Sequence, residues 1–429
     1  MSASAVREPQ GGVGERDGLA GLFDALRQAS FDGVGVSRLA YSQTESLVLD
    51  IVEAEAKRIG LRTERDAAAN LVATLPGADE GLPYIACGSH VDSVPQGGNF
   101  DGAAGVVAAL AVLRRLKAAN VPLRRGVKLF ALRGEESARF GKPYLGSSCL
   151  FGKLAPSDLD IKAENDGRVL RDCMREVGVD VDRVAAGDVL LDPKSVAAWV
   201  ELHIEQGPVL VARNLPIGVV TGIRGNIRHR AVECVGQAGH SGAVPRWLRH
   251  DAVFGMCELI AHMDQHWRTL LERGHDLVLT SGIVATDARV NAIARIPEFV
   301  RFAFEIRSQS KATLADAYKL FRDECVAVSK ERGVAFRFDD KVEAAGAAMD
   351  RPWVDRLTAA AARLNLPTET IPSGAGHDAA VFANAGVPSA MIFVRNQNGS
   401  HNPHEAMDLP DLIAGIDVMH DAIREAAAQ

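Results

Sequence analysis

Short apolar segments alternate with longer amphipathic segments along most of the chain, and this alternation constrains the fold more than any other feature. Val127–Leu132 is a largely apolar run without a polar face, as expected for a strand that is covered on both sides. Tyr84–Cys87 and Trp199–Ile204 are similar runs, whereas Gly105–Ala119 has apolar residues at helical spacing. The pattern predicts an α/β fold: a mixed sheet with helices on both sides.

A different order of elements begins near Gly222. It predicts strand, helix, strand, strand, helix and strand, namely Asn226–Val235, Leu248–Arg273, Leu277–Ala285, Phe299–Ile306, Thr313–Arg332 and Val334–Asp339. This βαββαβ order is typical of a small ferredoxin-like α+β domain. We therefore predict a larger α/β domain at 18–221 and 341–429, interrupted by a ferredoxin-like domain at 222–340. Residues 1–17 are small and charged, which predicts a disordered lead-in.

Composition excludes several classes of partner. The 429 residues carry a net charge of −7 without a basic stripe, so we expect binding neither to nucleic acid nor to an anionic membrane. The apolar run Val106–Leu113 is far shorter than the ~20 residues that span a bilayer, and the N-terminus lacks the apolar core of a secretory signal. Six cysteines are scattered without a CxxC pair, which predicts reduced thiols and a cytoplasmic protein.

Polar side chains cluster directly after the first predicted strand. His90 and Asp92 in GSHVD are two residues apart, so they leave a strand on the same face. A carboxylate beside an imidazole can fix its tautomer and leave the other nitrogen free for a metal, although a lone histidine there is more often structural. Asp101 in GGNFDG precedes a predicted helix, where it is either a helix cap or a bridging carboxylate.

Three further clusters follow later strands. Glu135 and Glu136 come after Val127–Leu132, at the end of the strand where open α/β sheets bind ligands; the alternative is a solvated acidic turn. His203 in ELHIE is either a ligand or a core histidine. His401, in GSHNPHE, is either a ligand or part of a surface loop that also contains His404.

These clusters are more informative together than singly. Four of the five directly follow a predicted strand, and Asp101 lies a short loop beyond the first. A set of three histidines and two carboxylates suits two divalent ions that share one carboxylate.

Six motifs carry a resemblance to a known family. The segments are GSHVDSVPQGGNFDGAAG, EESARFGKPYLGSSCLFG, ELHIEQGPVL, GQAGHSGAVP, SGAGHDAAVFA and GSHNPHEAMD. In this order, from about Tyr41 to the C-terminus, they resemble the M20 metallopeptidase superfamily, in its N-carbamoyl-amino-acid and allantoate amidohydrolase (hydantoinase/carbamoylase) branch. The resemblance implies a metal-binding catalytic domain, a lid and dimerisation domain, a homodimer, and two divalent ions per subunit. Zn²⁺ is the first choice, with Mn²⁺, Co²⁺ and Ni²⁺ as alternatives.

The resemblance also implies individual roles. His90 and His203 would hold one ion, Glu136 and His401 the other, and Asp101 would bridge them. Glu135 would be the general base, and His240 would reach across the dimer to stabilise the oxyanion. Behind the ligands, Asp92 would orient His90 and Glu405 would support the loop of His401. The implied substrate contacts are Gln206, Asn291, Arg307, Gly376 and His377.

This sequence departs from the family around the predicted lid. Asn291 stands three residues further from Pro297 than in the family's NxIP stretch, and Pro245 is followed by Arg246 and Trp247. The implied substrates are small ureido or amide compounds with a carboxylate: N-carbamoyl amino acids or related ureido acids, which would release ammonia and CO₂. Alternatives are allantoate or ureidoglycolate, N-acyl amino acids or dipeptides, and an inactive homologue that only binds a ligand.

Overall fold

The computed structural model describes residues 13–120 and 122–429, which form two compact units. The first unit extends to Thr221 and resumes at Ala348, and the second spans Gly222–Ala347. The strands are, in chain order, β1 Arg62–Arg65, β2 Leu71–Leu75, β3 Tyr84–His90, β4 Val127–Leu132, β5 Val196–Ile204, β6 Ile217–Ile223, β7 Gly225–Val235, β8 Gly239–His240, β9 Val278–Thr280, β10 Val284–Ala285, β11 Arg295–Ile296, β12 Phe299–Ser308, β13 Ala335–Arg337, β14 Val342–Ala344, β15 Ala347–Ala348, β16 Thr368–Ser373 and β17 Ser389–Val394.

The described residues also contain twelve α-helices. They are α1 Val13–Ser30, α2 Gln43–Ile59, α3 Ala103–Ala119, α4 Leu145–Leu150, α5 Leu170–Glu176, α6 Val181–Ala185, α7 Val209–Arg213, α8 Ala252–Glu272, α9 Lys311–Arg332, α10 Arg351–Arg363, α11 Asp378–Asn384 and α12 Leu409–Ala427. Three short 3-10 helices lie at Pro156–Asp160, Pro193–Ser195 and Arg246–Leu248. Among the described residues, no helix is both long enough and apolar enough to span a membrane.

A nine-stranded sheet forms the centre of the first unit. Its order is β1-β2-β4-β3-β5-β17-β6-β15, with β16 beside β6. The four central strands β4, β3, β5 and β17 are parallel, whereas β1, β2 and β6 join antiparallel. The predicted mixed α/β architecture is therefore confirmed.

The central strands are buried on both faces because helices cover them. All six residues of β17 are buried, and α3, which packs against β3 and α12, is buried over most of its circumference. Trp199 of β5 stacks on Phe382 of α11, with ring centroids 3.9 Å apart. Burial of such apolar surface stabilises the fold by roughly 25 cal/mol per Å², so these strands form the core of the first unit.

The N-terminal prediction needs a correction. Helix α1 begins at Val13, so residues 13–17 are not a disordered lead-in; residues 1–12 lie outside the described part of the chain. Glu15 forms ion pairs with Arg114 and Arg115 of α3, at 3.0 and 2.8 Å. These contacts fix the first turn of α1, and local composition could not reveal them because the partners lie far along the chain.

The second unit has its own antiparallel sheet and core. The sheet order is β10-β12-β7-β13, with β14 beside β7 and β9 beside β12, and α8 and α9 pack on β7 and β12. Phe304 of β12 stacks on Phe321 of α9 at 4.2 Å. The segment 341–347, which the sequence analysis assigned to the larger domain, belongs to this unit, because β14 pairs with β7.

Candidate metal centre

The candidate ligands meet at the carboxyl ends of adjacent parallel strands. His90 is the last residue of β3 and lies opposite Leu132, the last residue of β4. His203 of β5 lies opposite Phe393 of β17. Because parallel strands end at the same edge of a sheet, the loops after β3, β4, β5 and β17 all open at this edge.

His90, Asp101 and His203 form the first group, which we call the histidine cluster. The Nε2 atoms of the two imidazoles are 3.5 Å apart, and Asp101 Oδ1 lies 3.8 Å from that of His90 and 3.2 Å from that of His203. All three side chains are buried.

The hydrogen bonds of this cluster involve the Nδ1 atoms of the two histidines, while their Nε2 atoms face Asp101 Oδ1. Nδ1 of His90 lies 3.1 Å from the carbonyl oxygen of Asp92, and Nδ1 of His203 lies 2.9 Å from that of Ile204. A carbonyl oxygen only accepts, so each Nδ1 carries a hydrogen and each Nε2 is left as the position that takes up a proton or a cation. Asp101 Oδ1, which faces both Nε2 atoms, is buried without a hydrogen-bond partner. This donor set fits a bound cation.

Asp101, Glu136 and His401 form the second group, which we call the mixed cluster. His401 Nε2 lies 3.1 Å from Glu136 Oε1 and 3.3 Å from Asp101 Oδ2. Unlike the buried histidines, the His401 side chain is 51% exposed, and its backbone is left-handed with φ 60°. The mixed cluster is thus the side of the centre that is open to solvent.

The surroundings of both clusters favour positive charge. Burial alone would lower the pKa of His90, but the charges of Glu135, Asp92 and Asp101 raise it well above its usual range. Hydrogen bonds to Asp101 and Glu136 raise the pKa of His401 to about 10. Burial would raise the pKa of Asp101, but the close imidazoles of His203 and His401 hold it well below its usual range.

Glu135 lies beside the histidine cluster, with its Oε2 3.8 Å from His90 Nε2. Burial raises its pKa well above that of a free carboxyl. The Asp92 carboxylate accepts hydrogen bonds from the main-chain N–H groups of Glu135 and Glu136, at 3.0 and 2.9 Å. Asp92 Oδ1 is also 3.4 Å from His90 Nδ1, so this side chain contacts both glutamates and the imidazole that it was predicted to orient.

Gly102 is required by the close approach of the two histidines. Its φ is +64°, and a Cβ there would lie 2.4–2.5 Å from the His90 ring. Its N–H donates to His203 Nε2 at 3.2 Å. Gly102 was not predicted as a site residue, although its position directly after Asp101 in GGNFDG could have indicated it.

Asp101 is held from behind by three polar side chains. Gln206 Nε2 donates to Asp101 Oδ2 at 2.8 Å, and the Ser400 hydroxyl contacts the same oxygen and Glu405 Oε2. Glu405 Oε1 accepts from the N–H groups of Phe100, at 2.7 Å, and Asp101, at 3.2 Å. Gln206 therefore contacts a candidate ligand in this structure, and Ser400 is a site residue that the sequence analysis missed because a hydroxyl has no ligand signature.

His377 and Gly376 line the same edge of the sheet. The His377 ring is buried, 4.4 Å from that of His203, and its Nε2 bonds to Ser373 Oγ at 3.0 Å. Burial, together with the charge of His203, lowers its pKa well below the usual value, so His377 is neutral. A side chain at Gly376 would overlap the Tyr144 hydroxyl.

The remaining predicted residues lie in the second unit. His240 is exposed on β8, which pairs with β11, and its Nδ1 accepts from the N–H of Gly242 at 3.2 Å. Asn291 donates to Thr286 Oγ1 at 2.8 Å. Arg307 Nε donates to Glu305 Oε2 at 2.8 Å. The structure describes this unit by itself, so their roles at the metal centre remain predictions.

Two carboxylate–imidazole clusters that share an aspartate, with a buried glutamate alongside, define a class: the metal-dependent hydrolases. Residues 86–425 match peptidase family M20/M25/M40. The chain belongs to this family, in its hydantoinase/carbamoylase branch, and is a hydrolase of C–N bonds. The resemblance predicted from the six motifs is thereby confirmed.

Individual relatives cover nearly the whole chain. The N-carbamoyl-L-amino acid amidohydrolase of Geobacillus stearothermophilus is 32% identical over 398 residues, which are 92% of this chain and 94% of the relative. The allantoate amidohydrolase of Escherichia coli (strain K12) is 32% identical over 383 residues, 89% and 90% of the two chains. A solved hydantoinase/carbamoylase family amidase from Burkholderia multivorans aligns over 99% of this chain and 100% of its own, with TM-score 0.86 and 27% identity.

Proposed function

We propose that the chain is a two-metal amidohydrolase that cleaves the carbamoyl group of N-carbamoyl amino acids or related ureido acids. In the overall reaction, R–NH–CO–NH₂ and water give R–NH₂, CO₂ and NH₃. The observation that carries the proposal is the pair of clusters that share Asp101, with the buried Glu135 beside them.

The histidine cluster would hold one ion and the mixed cluster the other, with Asp101 common to both. We propose Zn²⁺, because imidazole and carboxylate donors suit it, with Mn²⁺, Co²⁺ and Ni²⁺ as alternatives. Bound divalent ions act as Lewis acids, which lower the pKa of water and polarise a carbonyl.

Glu135 would serve as the proton carrier. Burial raises the pKa of its carboxyl, so it binds a proton more readily than an exposed glutamate. It would accept a proton from the attacking water and donate it to the leaving nitrogen. Asp92 fixes its main-chain N–H at 3.0 Å, which keeps the carboxyl near His90.

The second unit would act as a ferredoxin-like lid and as the dimerisation domain. His240 supports this proposal because its Nδ1 accepts a hydrogen bond from Gly242, which places the hydrogen on Nε2 and leaves it able to donate to an oxyanion. The oxyanion that His240 stabilises would lie in the active site of the partner subunit. Arg307 suits a substrate carboxylate through bidentate geometry, and Asn291, Gly376 and His377 would also contact the substrate. We further propose a cytoplasmic location, since the six cysteines are unpaired.

An ammonia-release screen tests the proposed substrate class. The protein, loaded in turn with Zn²⁺, Mn²⁺ and Co²⁺, is assayed against N-carbamoyl amino acids, allantoate and ureidoglycolate. Allantoate is the second candidate, because the allantoate amidohydrolase of Escherichia coli matches the chain at 32% identity, equal to that of the Geobacillus relative. Release of amine from N-acyl amino acids or dipeptides alone would replace the carbamoyl assignment. A protein that hydrolyses none of these substrates would contradict the whole proposal.

A substitution of the proposed proton carrier tests the mechanism. Glu135→Gln should lower kcat by about 10²–10⁴-fold, because an amide cannot transfer the proton, while metal content stays unchanged. The exposed Glu80→Gln is the matched control. A Glu135→Gln enzyme with the wild-type rate would show that another group carries the proton.

A further inference from the structure

Asn396 follows β17 and is only 1% exposed. Its Oδ1 accepts from the main-chain N–H of Gln206 at 3.0 Å, and its Nδ2 donates to the carbonyl oxygen of Gly399 at 2.7 Å. Since an N–H only donates and a carbonyl only accepts, these contacts determine the orientation of the amide. One buried side chain therefore ties together the loop after β5 and the loop after β17.

Both loops reach the same oxygen of the metal centre. Gln206 donates to Asp101 Oδ2 from its side chain, and the residues after Gly399 contribute Ser400 and His401, which also approach Asp101 Oδ2. Gln206 and His401 have left-handed backbones, with φ of 59° and 60°. Such conformations are unfavourable for residues with side chains and persist only where the surroundings hold them.

The histidine cluster is held in a different way. His90 and His203 lie on the buried strands β3 and β5, and each Nδ1 faces a main-chain carbonyl of its own strand end, Asp92 or Ile204. Asn396 contacts neither ring in the hydrogen bonds of the described residues. A change in the Asn396 amide therefore acts on the mixed cluster rather than on the histidine cluster.

We propose that Asn396 is the positioning residue of the mixed cluster. By fixing Gln206 and the His401 loop around Asp101 Oδ2, Asn396 sets the affinity of the mixed cluster for its divalent ion. The affinity of the histidine cluster for its own ion does not depend on Asn396. This inference rests on the proposed two-ion function. It assigns a task to a residue that no ligand motif marks.

The test is a count of bound ions. In Asn396→Asp, Oδ1 still accepts from Gln206, but a carboxylate oxygen replaces the donor and faces the Gly399 carbonyl. Full-length wild type and variant are titrated with Co²⁺, with d–d absorption and elemental analysis as readouts. We expect two equivalents in the wild type. In the variant we expect one equivalent of wild-type affinity, and a second that binds about 10–100-fold more weakly, as for other groups that orient ligands.

Asn398→Asp is the matched control, because it places the same new charge two positions away on an exposed side chain whose Nδ2 donates to His404 O at 2.7 Å. It should bind both ions as the wild type does, and the melting temperatures of the metal-free proteins should agree. If Asn396→Asp does not fold, Asn396→Ser should show the same selective weakening of the mixed cluster, because the shorter side chain cannot reach both Gln206 and Gly399 and adds no charge.

Three results would overturn the inference. A folded Asn396 variant could bind both ions with wild-type affinity, or it could lose affinity equally at the two clusters. In the third, the Asn398→Asp control would lose as much affinity at the mixed cluster as the Asn396 variant does. A wild-type protein that binds a single equivalent would instead refute the two-ion function itself, and this inference with it.

Discussion

The two halves of the metal centre share Asp101 but are built differently. The histidine cluster uses residues of two buried strands, and His90 and His203 are each 1% exposed. The mixed cluster takes His401 from a loop with a left-handed backbone, and that side chain is 51% exposed. One half is thus preorganised by the sheet, whereas the other depends on loop contacts and faces solvent. We expect the histidine cluster to bind its ion more tightly.

Removal of the shared carboxylate should produce the largest effect. Asp101→Asn takes one anionic donor from each cluster, so both ions should be lost and kcat/KM should fall by about 10⁴-fold or more, as when members of a catalytic unit are removed. Elemental analysis after gel filtration and a ureido-acid assay measure the two effects. The exposed Asp79→Asn should behave as the wild type. Retention of one tightly bound ion in Asp101→Asn would show that the halves are less interdependent than their geometry indicates.

Substitutions confined to one half test the difference directly. His401→Gln should remove the weaker ion and leave one tight equivalent, whereas His203→Gln should disrupt the tight site. We expect activity to fall by roughly 10²–10³-fold in both, so the comparison rests on isothermal titration with Zn²⁺ rather than on rate. Equal affinities for the remaining ion in the two variants would contradict the proposed order of binding.

Asp92→Asn addresses the support behind the glutamates. The amide retains only one acceptor for the two N–H groups of Glu135 and Glu136, which the carboxylate holds at 3.0 and 2.9 Å. Metal affinity should fall by about 10–100-fold, more at the mixed cluster because Glu136 belongs to it. A uniform loss at both sites would instead indicate that Asp92 acts chiefly through His90.

The smallest effect should come from a histidine far from both clusters. Burial, together with the charges of Arg115 and Arg424, lowers the pKa of His420 to about 4, and its Nε2 has no hydrogen-bond partner. Because the folded pKa lies below the usual value, stability present above about pH 6.5 is lost as the pH falls toward 4. His420→Gln should recover about 1 kcal/mol of the free energy of unfolding at pH 5, allowing for partial exposure.

Chemical denaturation at pH 7 and pH 5 measures this recovery. It should be the same in the metal-free protein and in His401→Gln, because α12 contributes to neither cluster. A recovery that depends on bound metal would show that acid acts on the centre instead.

Five candidate ligands could be found from sequence because ligand chemistry and position agree. His90, Glu136, His203 and His401 each lie near the end of a short apolar strand or in the loop after it, and the glycine-rich loop marks Asp101. The structure places all five within the two clusters. The mixed sheet could likewise be read from the alternation of elements, because burial on both faces removes the polar positions from strands such as β4.

Two of the supporting residues could not be found in the same way. Asn396 and Ser400 act through hydrogen bonds to main chain or to side chains from other loops, and amides and hydroxyls occur on every surface. Residues 13–17 belong to helix α1 and not to the predicted lead-in, and the partners of its first turn, Arg114 and Arg115, belong to α3. Such contacts depend on tertiary structure, to which local composition gives no access.

The position of β17 in the sheet determines when the central sheet can be completed during translation. It lies between β5 and β6, yet among the described strands it is synthesised last. At ~5–20 residues per second, the ribosome needs on the order of 10–30 s between β6 and β17. During that interval β5 and β6 each present an unpaired edge, which is a template for wrong pairing. The edges of β5 and β6 therefore stay open to wrong pairing until β17 closes the gap, and the mixed cluster stays incomplete until His401 has emerged.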